Sequence, residues 1–204
     1  MTRPGLLVLA LLAAAVLAGC GATSAARIER PPPTTSKFEG GVVTPPRKAQ
    51  PIALHDAWGR PVTLASERGK YVLVTFLYVH CPDVCPLIAQ NLNATLQQLG
   101  PKRSQVRVLA VSVDPNGDTP ATVKRYVAQR QLLPQFRYLV GTRAELSKVW
   151  AAWHVLSVRS KPGVVDHVAY TSLVDPSGRQ RLLYGASVKA GQVLHDLRVL
   201  MSSA

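Results

Sequence analysis

The sequence predicts an α/β fold in which a central mixed β-sheet carries helices on both faces. Two apolar runs, residues 71–79 (YVLVTFLYV) and 106–113 (VRVLAVSV), have the continuous β-branched and aromatic character of strands buried on both faces. Each run is followed by a segment with helical features. About 150 residues follow position 50, which is enough chain for one domain with a substantial core.

The first elements of this domain follow in order from residue 51. Residues 52–54 and 61–64 flank a turn that contains Gly59, and this pattern predicts an N-terminal β-hairpin. The buried strand at 71–79 comes next. Apolar residues at helical spacing follow it and predict a helix: Ile88, Leu92, Leu96 and Leu99.

The second half of the domain continues the alternation of strands and helices. After the strand at 106–113, Thr119 is suited to cap a helix and Pro120 fits the first helical position. Thr142 and Glu145 form a capping box that opens another helix.

The chain ends in a predicted hairpin and a helix. Strands at 169–174 and 181–184 flank the turn 175–178, and a helical stripe follows: Val193, Leu194, Leu197, Leu200 and Met201. Alternating strands and helices with a terminal hairpin indicate a thioredoxin-like α/β sheet.

The N-terminal residues have the layout of an export signal. Arg3 precedes an apolar run at 6–18 that is too short for a membrane anchor, which is typical of a cleaved signal peptide. The run ends in small residues before Cys20, an arrangement that resembles the bacterial lipobox, where the cysteine is acylated. We therefore expect a lipoprotein signal peptide at 1–19 and a lipid anchor on Cys20.

A tether is expected between this anchor and the domain. Residues 21–50 are rich in Pro, Thr, Ser, Gly and charge, and they show no sustained strand or helix period. The predicted organisation is thus a signal peptide at 1–19, lipidated Cys20 and a disordered tether at 20–50, and one domain at 51–204. Such a protein would lie at the extracytoplasmic face of the bacterial cell membrane.

The chain is strongly basic. It has 24 Lys and Arg against 11 Asp and Glu, a formal net charge of +13, and loss of Arg3 with the signal leaves +12. The basic residues form no single dense run, so anionic lipid headgroups or acidic proteins are more suitable partners than nucleic acid.

The cysteine count limits the chemistry. Of three cysteines, acylation uses Cys20, which leaves Cys81 and Cys85 four positions apart at a strand-to-helix turn. Outside the cytoplasm, such a pair is a disulfide, a redox couple or a metal site. We expect the start of a helix to favour the thiolate form of both and so to make them reactive.

Two thiolates select soft metals such as Cu(I), and a third ligand is needed. The candidates are the five histidines, His55, His80, His154, His167 and His195. Among them, His167 is favoured because it precedes a late strand and follows the flexible-looking segment 159–163. His80 ends a strand and should point away from Cys81, and His195 lies among solvent-facing residues of the last helix. Structural zinc is disfavoured because it takes four closed ligands.

Three blocks of sequence, FLYVHCPDVCP, VSVDPNGDTP and DHVAYTSLVDPSG, resemble the signature blocks of the Sco/SenC copper-chaperone family. The resemblance covers essentially all of residues 51–201 in the same order. It implies a thioredoxin-like fold in which Cys81, Cys85 and His167 bind copper as Cu(I) or Cu(II). It also implies an assembly factor that delivers copper to the dinuclear copper site of cytochrome c oxidase subunit II, or keeps the cysteines of that site reduced. Asp83 and Asp114 match acidic positions of the pattern, although turn formation and helix capping also explain them.

Other readings of the cysteine pair remain open. The main alternative is an extracytoplasmic thiol-disulfide oxidoreductase of the thioredoxin type, but such enzymes use C-x-x-C, and Ala169 stands where they carry a cis-proline. A peroxiredoxin lacks a second cysteine at this spacing. A structural lipoprotein with a stabilising disulfide would need neither His167 nor an exposed motif.

Overall fold

A computed structural model describes residues 36–161 and 164–203, so the expected signal peptide, Cys20 and most of the tether lie outside the described residues. The described part belongs to one compact unit. Its strands are β1 (Gly41–Lys48), β2 (Ala53–Asp56), β3 (Pro61–Thr63), β4 (Tyr71–Leu77), β5 (Val106–Ser112), β6 (Phe136–Val140), β7 (Ser157–Lys161), β8 (Val164–His167), β9 (Tyr170–Val174) and β10 (Arg179–Gly185). Its helices are α1 (Val84–Gln98), α2 (Pro120–Gln129), α3 (Arg143–Ala152) and α4 (Ala190–Ser202).

Eight strands form one mixed sheet in the order β1-β10-β9-β4-β5-β6-β2-β3. The central strands β4, β5 and β6 are parallel, and β9 joins β4 antiparallel. Every residue of β4 is buried, as expected for a strand covered on both faces. The predicted mixed sheet and the predicted N-terminal hairpin, formed by β2 and β3, are both confirmed.

The connections between the parallel strands determine which face of the sheet α1 and α2 cover. The steps from β4 to β5 and from β5 to β6 run in the same direction, so right-handed crossovers put α1 and α2 on one face. Asn93 joins α1 to the loop that follows α2, because it donates to the backbone carbonyl of Gln131 and accepts from the backbone N–H of Leu133. α4 packs beside α1. α3 covers the other face, where Trp153 lies against Phe76 of β4.

The local helix signals are confirmed in atomic detail. The Thr119 side chain accepts from the backbone of Thr122, and Pro120 opens α2. Thr142 and Glu145 form the reciprocal capping box at the start of α3.

Three parts of the fold differ from the sequence-based expectation. Residues 41–48, expected in the disordered tether, form β1, which gains its order by pairing with β10. β6 was not predicted, and it pairs with β5 in the main sheet. Residues 159–161, part of the segment 159–163 that was expected to be flexible, belong to β7, which pairs with β8 in a separate two-stranded sheet.

No helix within the described residues combines the length and the apolar character that a membrane crossing requires.

Candidate metal centre

The cysteine pair lies where β4 leads into α1. Cys81 follows a tight turn in which its backbone N–H donates to the carbonyl of Tyr78 at 3.3 Å. Cys85 is the second residue of α1. Both are free thiols, and their side chains are in polar contact. Cys81 is 9% exposed and Cys85 is completely buried, so any ligand reaches the pair from the Cys81 side.

Burial makes the pKa of Cys85 differ from what the sequence led us to expect. Burial raises the pKa of the Cys85 thiol well above its ordinary value, although a contact with the backbone N–H of Tyr78 lowers it. The nearby Cys81 side chain and the Asp118 carboxylate raise the pKa of Cys85 further. The expectation that the helix start favours the thiolate is therefore wrong for Cys85, because desolvation outweighs the helix dipole. The free Cys85 thiol is therefore protonated at neutral pH, because its pKa is raised.

The turn before Cys81 is held by a buried carboxylate. Asp118 accepts hydrogen bonds from the backbone N–H of Val79 at 2.8 Å, from Ser112 Oγ at 2.6 Å and from Tyr138 Oη at 3.0 Å. Burial raises the pKa of Asp118 to about 6, even though these three donors lower it. Sequence reasoning assigned Asp118 no role, although it lies within the block VSVDPNGDTP.

Tyr78 is a second site residue that sequence reasoning missed. It is 3% exposed, and its hydroxyl accepts a hydrogen bond from the backbone N–H of Val165 and contacts the Cys81 side chain. Burial raises the pKa of Tyr78. The only sequence signal was a polar hydroxyl at the end of a buried strand, in a position next to the cysteine motif.

His167 is the last residue of β8, where it pairs with Ser157 of β7, and it precedes the late strand β9 as expected. Ser157 Oγ donates to the carbonyl of Val113 at 3.0 Å, directly after β5. The backbone of His167 therefore lies near the carboxyl-terminal ends of β4 and β5, the sheet edge from which the cysteine turn also emerges. The His167 side chain is outside the described part of the structure.

The structure places the other histidines as follows. His55 pairs with Val140 on β2. His154 follows α3, has a positive φ of 56°, and lines a cavity to which neither cysteine contributes. His195 lies on α4, where Nε2 is 3.1 Å from the carbonyl of Lys37. His80 is exposed and lies against Gly117, so its ring is directed toward the loop after β5.

Asp83 and Asp114, the two acidic residues singled out in the motif blocks, both lie in loops of the structure. Asp83 is exposed and precedes α1, although its side chain makes no capping hydrogen bond. Asp114 is buried, and its Oδ1 accepts from the backbone of Asn116 at 3.3 Å within the loop after β5. The turn-forming role is therefore observed for Asp114.

Among the side chains that the structure describes, no three of the His, Cys, Asp and Glu residues converge as a metal site. The two thiols in contact nevertheless fit a soft, low-coordinate ion such as Cu(I). They supply two sulfur ligands, and β8 brings the backbone of one histidine to the same edge of the sheet.

Several known proteins are similar to this chain in sequence and in structure. The SCO2 homolog of Bos taurus mitochondria is 30% identical over 159 residues, which cover 74% of this chain and 59% of that protein. The structure of Bradyrhizobium japonicum ScoI with copper bound matches with a TM-score of 0.66 and 34% identity, covering 74% and 98% of the two chains. Yeast Sco1 with copper bound matches with a TM-score of 0.67 and 26% identity, covering 78% and 91%.

The chain thus spans about three-fifths of the length of the bovine relative, but nearly all of each solved Sco domain. Its thioredoxin-like fold is shared with these domains. Residues 43–202 match the SCO1/SenC family, well over half of the sequence, and the protein belongs to that family.

Proposed function

We propose that this protein is a copper-binding metallochaperone that carries its ion on Cys81, Cys85 and His167. The observation that carries the proposal is the pair of free, buried thiols in contact at the start of α1, in a chain of the SCO1/SenC family. Two relatives with the same fold were solved with copper bound.

The geometry suits reversible binding of a soft cation. Cu(I) is stable with two thiolates, and its binding would release the Cys85 proton that burial otherwise retains by raising the pKa of that thiol. Cys85 is completely buried, whereas Cys81 is 9% exposed, so copper enters and leaves past Cys81. Cu(II) prefers additional nitrogen donors, and this is the role we assign to His167.

We further propose the acceptor and the location of the protein. The family resemblance of the motif blocks supports delivery of copper to the dinuclear copper site of cytochrome c oxidase subunit II, or reduction of its cysteines. The lipobox-like segment before Cys20 supports a lipid anchor at the extracytoplasmic face of the bacterial membrane.

The contact between the two thiols also supports a second candidate function, that of a thiol-disulfide oxidoreductase. Thiols in contact can close to a disulfide with loss of two electrons and two protons to an oxidised partner, and Cys81 is the more accessible attacking group. Stoichiometric copper binding distinguishes a chaperone from a pure oxidoreductase.

The deciding experiment is a copper titration of the reduced domain, followed by native mass spectrometry and absorption spectroscopy. We expect one Cu(I) per domain, no uptake by the oxidised disulfide form, and loss of both oxidation states in Cys81→Ala and Cys85→Ala. His167→Ala should retain Cu(I) but lose stable Cu(II) and its thiolate-to-copper charge-transfer band.

His154→Ala is the matched control, because that histidine lines a cavity to which neither cysteine contributes, and it should behave like the unaltered protein. Failure of the reduced domain to bind copper would exclude the chaperone role and leave the oxidoreductase. A His167→Ala variant with an unchanged Cu(II) spectrum would remove His167 from the site.

A further inference from the structure

Tyr78 lies at the junction of the segments that carry the proposed copper ligands. It is the first residue after β4 and precedes Cys81 by three positions. Its side chain is 3% exposed, and Tyr78 is not one of the proposed copper ligands. A buried phenol needs polar partners for its hydroxyl group.

The backbone of Tyr78 is held on both sides. The carbonyl of Leu77 accepts from Val113 N–H at 2.9 Å, and Val79 N–H donates to Asp118 at 2.8 Å. The Tyr78 carbonyl itself accepts from Cys81 N–H at 3.3 Å. These bonds fix the backbone of Tyr78 relative to β5 and to the buried carboxylate of Asp118.

From this fixed position Tyr78 contacts three segments. Its backbone N–H is in contact with Cys85, its hydroxyl contacts the Cys81 side chain, and the hydroxyl oxygen accepts from Val165 N–H. Val165 is itself buried and lies in β8, two residues before His167.

The Tyr78 hydroxyl group can form hydrogen bonds with the Cys81 sulfur and with the Val165 N–H at the same time. A phenol group has one proton to donate and lone pairs that accept. The Val165 N–H occupies a lone pair, so the proton remains available for the Cys81 sulfur. A hydrogen bond to sulfur is strongest when the sulfur is a thiolate, which is its state when copper is bound.

We propose that Tyr78 is a positioning residue that couples the cysteine pair to β8, by donating its hydroxyl proton to the Cys81 sulfur while it holds the Val165 N–H. Loading of copper on Cys81 strengthens the first bond and fixes the strand that carries His167. The proposal rests on the proposed copper function, and it adds a residue outside the ligand set.

Tyr78→Phe is the appropriate variant because it keeps the buried ring and removes only the oxygen. Tyr170→Phe is the matched control, since Tyr170 is partly buried and its hydroxyl donates to the carbonyl of Trp153 at 2.6 Å rather than to a cysteine. Both variants should retain the near-ultraviolet circular dichroism of the unaltered domain. They should also bind one Cu(I), because Cys81 and Cys85 remain.

Two readouts separate Tyr78→Phe from the control. In the reduced, copper-free protein, hydrogen exchange at Val165 N–H should be at least tenfold faster in Tyr78→Phe and unchanged in Tyr170→Phe. In the Cu(II) form, the thiolate-to-copper band should shift and Cu(II) affinity should fall several-fold only in Tyr78→Phe. The first readout tests the link to β8, and the second tests the donation to sulfur.

The outcomes are distinguishable from failure of the proposed function. If the unaltered domain binds copper and Tyr78→Phe matches it in exchange and spectrum, the Tyr78 inference is wrong while the chaperone stands. If both tyrosine variants change alike, the effect is general packing and the inference is also wrong. If the unaltered domain binds no copper, the proposed function fails first, and the exchange readout alone decides whether Tyr78 holds β8.

Discussion

Asp118 buries a carboxyl group behind the turn that carries Cys81. The group is 3% exposed, it accepts three hydrogen bonds, and its charge raises the pKa of Cys85. Burial raises the pKa of Asp118 itself to about 6, compared with an ordinary value of 3.8. The native protein therefore binds more protons at this site than the unfolded chain does between these two values.

This shift predicts how stability depends on pH. A carboxyl group with a raised pKa stabilises the fold below pH 3.8, and this contribution is lost as the pH rises through 6. The free energy of unfolding of the unaltered domain, relative to Asp118→Asn, should therefore fall by roughly 2–3 kcal/mol between pH 4 and pH 7. Urea denaturation of the reduced, copper-free domain and of Asp118→Asn at both pH values measures this difference in the free energy of unfolding.

Asp175→Asn is the control with the opposite sign. Burial alone would raise the pKa of Asp175, but hydrogen bonds from Ser177, Arg179 and Arg181 hold it below its usual value. Its contribution is present above pH 3.8 and is lost as the pH falls. Equal pH slopes for the two variants would contradict the assignment for Asp118.

At the scale of single residues, the sequence identified the reactive cysteines but did not predict the surroundings that determine their properties. Cys81 and Cys85 could be identified because a motif is local, and the structure brings the two thiols together as expected. The raised pKa of Cys85 could not be predicted, because it arises from packing against distant parts of the chain. The Tyr78 contact with Val165 likewise joins residues far apart in sequence. The ligand role of His167 remains a prediction.

At the scale of elements, β1 is attached by a buried carboxylate. Asp196 of α4 is completely buried and accepts from the backbone N–H groups of Glu39 and Gly40 at 2.8 and 2.9 Å. It also accepts from Tyr184 Oη at 2.8 Å. These bonds fix the chain just before β1, so the folded domain begins well before residue 51.

Asp196→Ala should therefore destabilise the protein and loosen β1. The substitution leaves three donors without their acceptor, two of them buried, which should lower the free energy of unfolding by roughly 2–5 kcal/mol. Amides of residues 41–48 should exchange faster than those of β4. Tyr184→Phe removes only one of the bonds and should cost about 1 kcal/mol. If β1 stays fully protected in Asp196→Ala, the carboxylate is not what attaches it.

The elements that the sequence predicted are those with local signals. The capping box of Thr142 and Glu145 lies within four residues, and it is observed. β6 has no comparable signal, because its five residues include Arg137, which is paired with the distant Asp56 at 2.8 Å. β1 contains two prolines and shows no alternation, so only its pairing with β10 makes it a strand.

At the scale of the whole molecule, basic side chains outnumber acidic side chains by 24 to 11. Several of the 11 acidic residues are buried or paired with basic side chains, among them Asp56, Glu67, Asp118, Asp175 and Asp196. The solvated surface is thus dominated by Lys and Arg. Such a surface attracts anionic headgroups with an attraction that salt screens.

The basic surface and an acyl chain on Cys20 would attach the protein to a membrane in two different ways. The two kinds of attachment respond differently to washing. Electrostatic association alone is reversed by high salt or alkaline treatment. A buried acyl chain contributes about 0.8 kcal/mol per methylene, so an anchor with more than one chain resists both treatments. The unaltered full-length protein should therefore remain in the membrane fraction after an alkaline wash if Cys20 is acylated.

Cys20→Ser should move the protein to the soluble fraction after the same wash, while some salt-sensitive association remains before it. Copper binding and circular dichroism of the released variant should equal those of the unaltered domain, because Cys20 lies outside the folded unit that begins at Ser36. The measurement is membrane fractionation with and without the wash, followed by a copper titration of the released protein. A Cys20→Ser protein that still resists the alkaline wash would show that something other than this thiol attaches the chain. Release of the unaltered protein by salt alone would leave the basic surface as its only means of attachment.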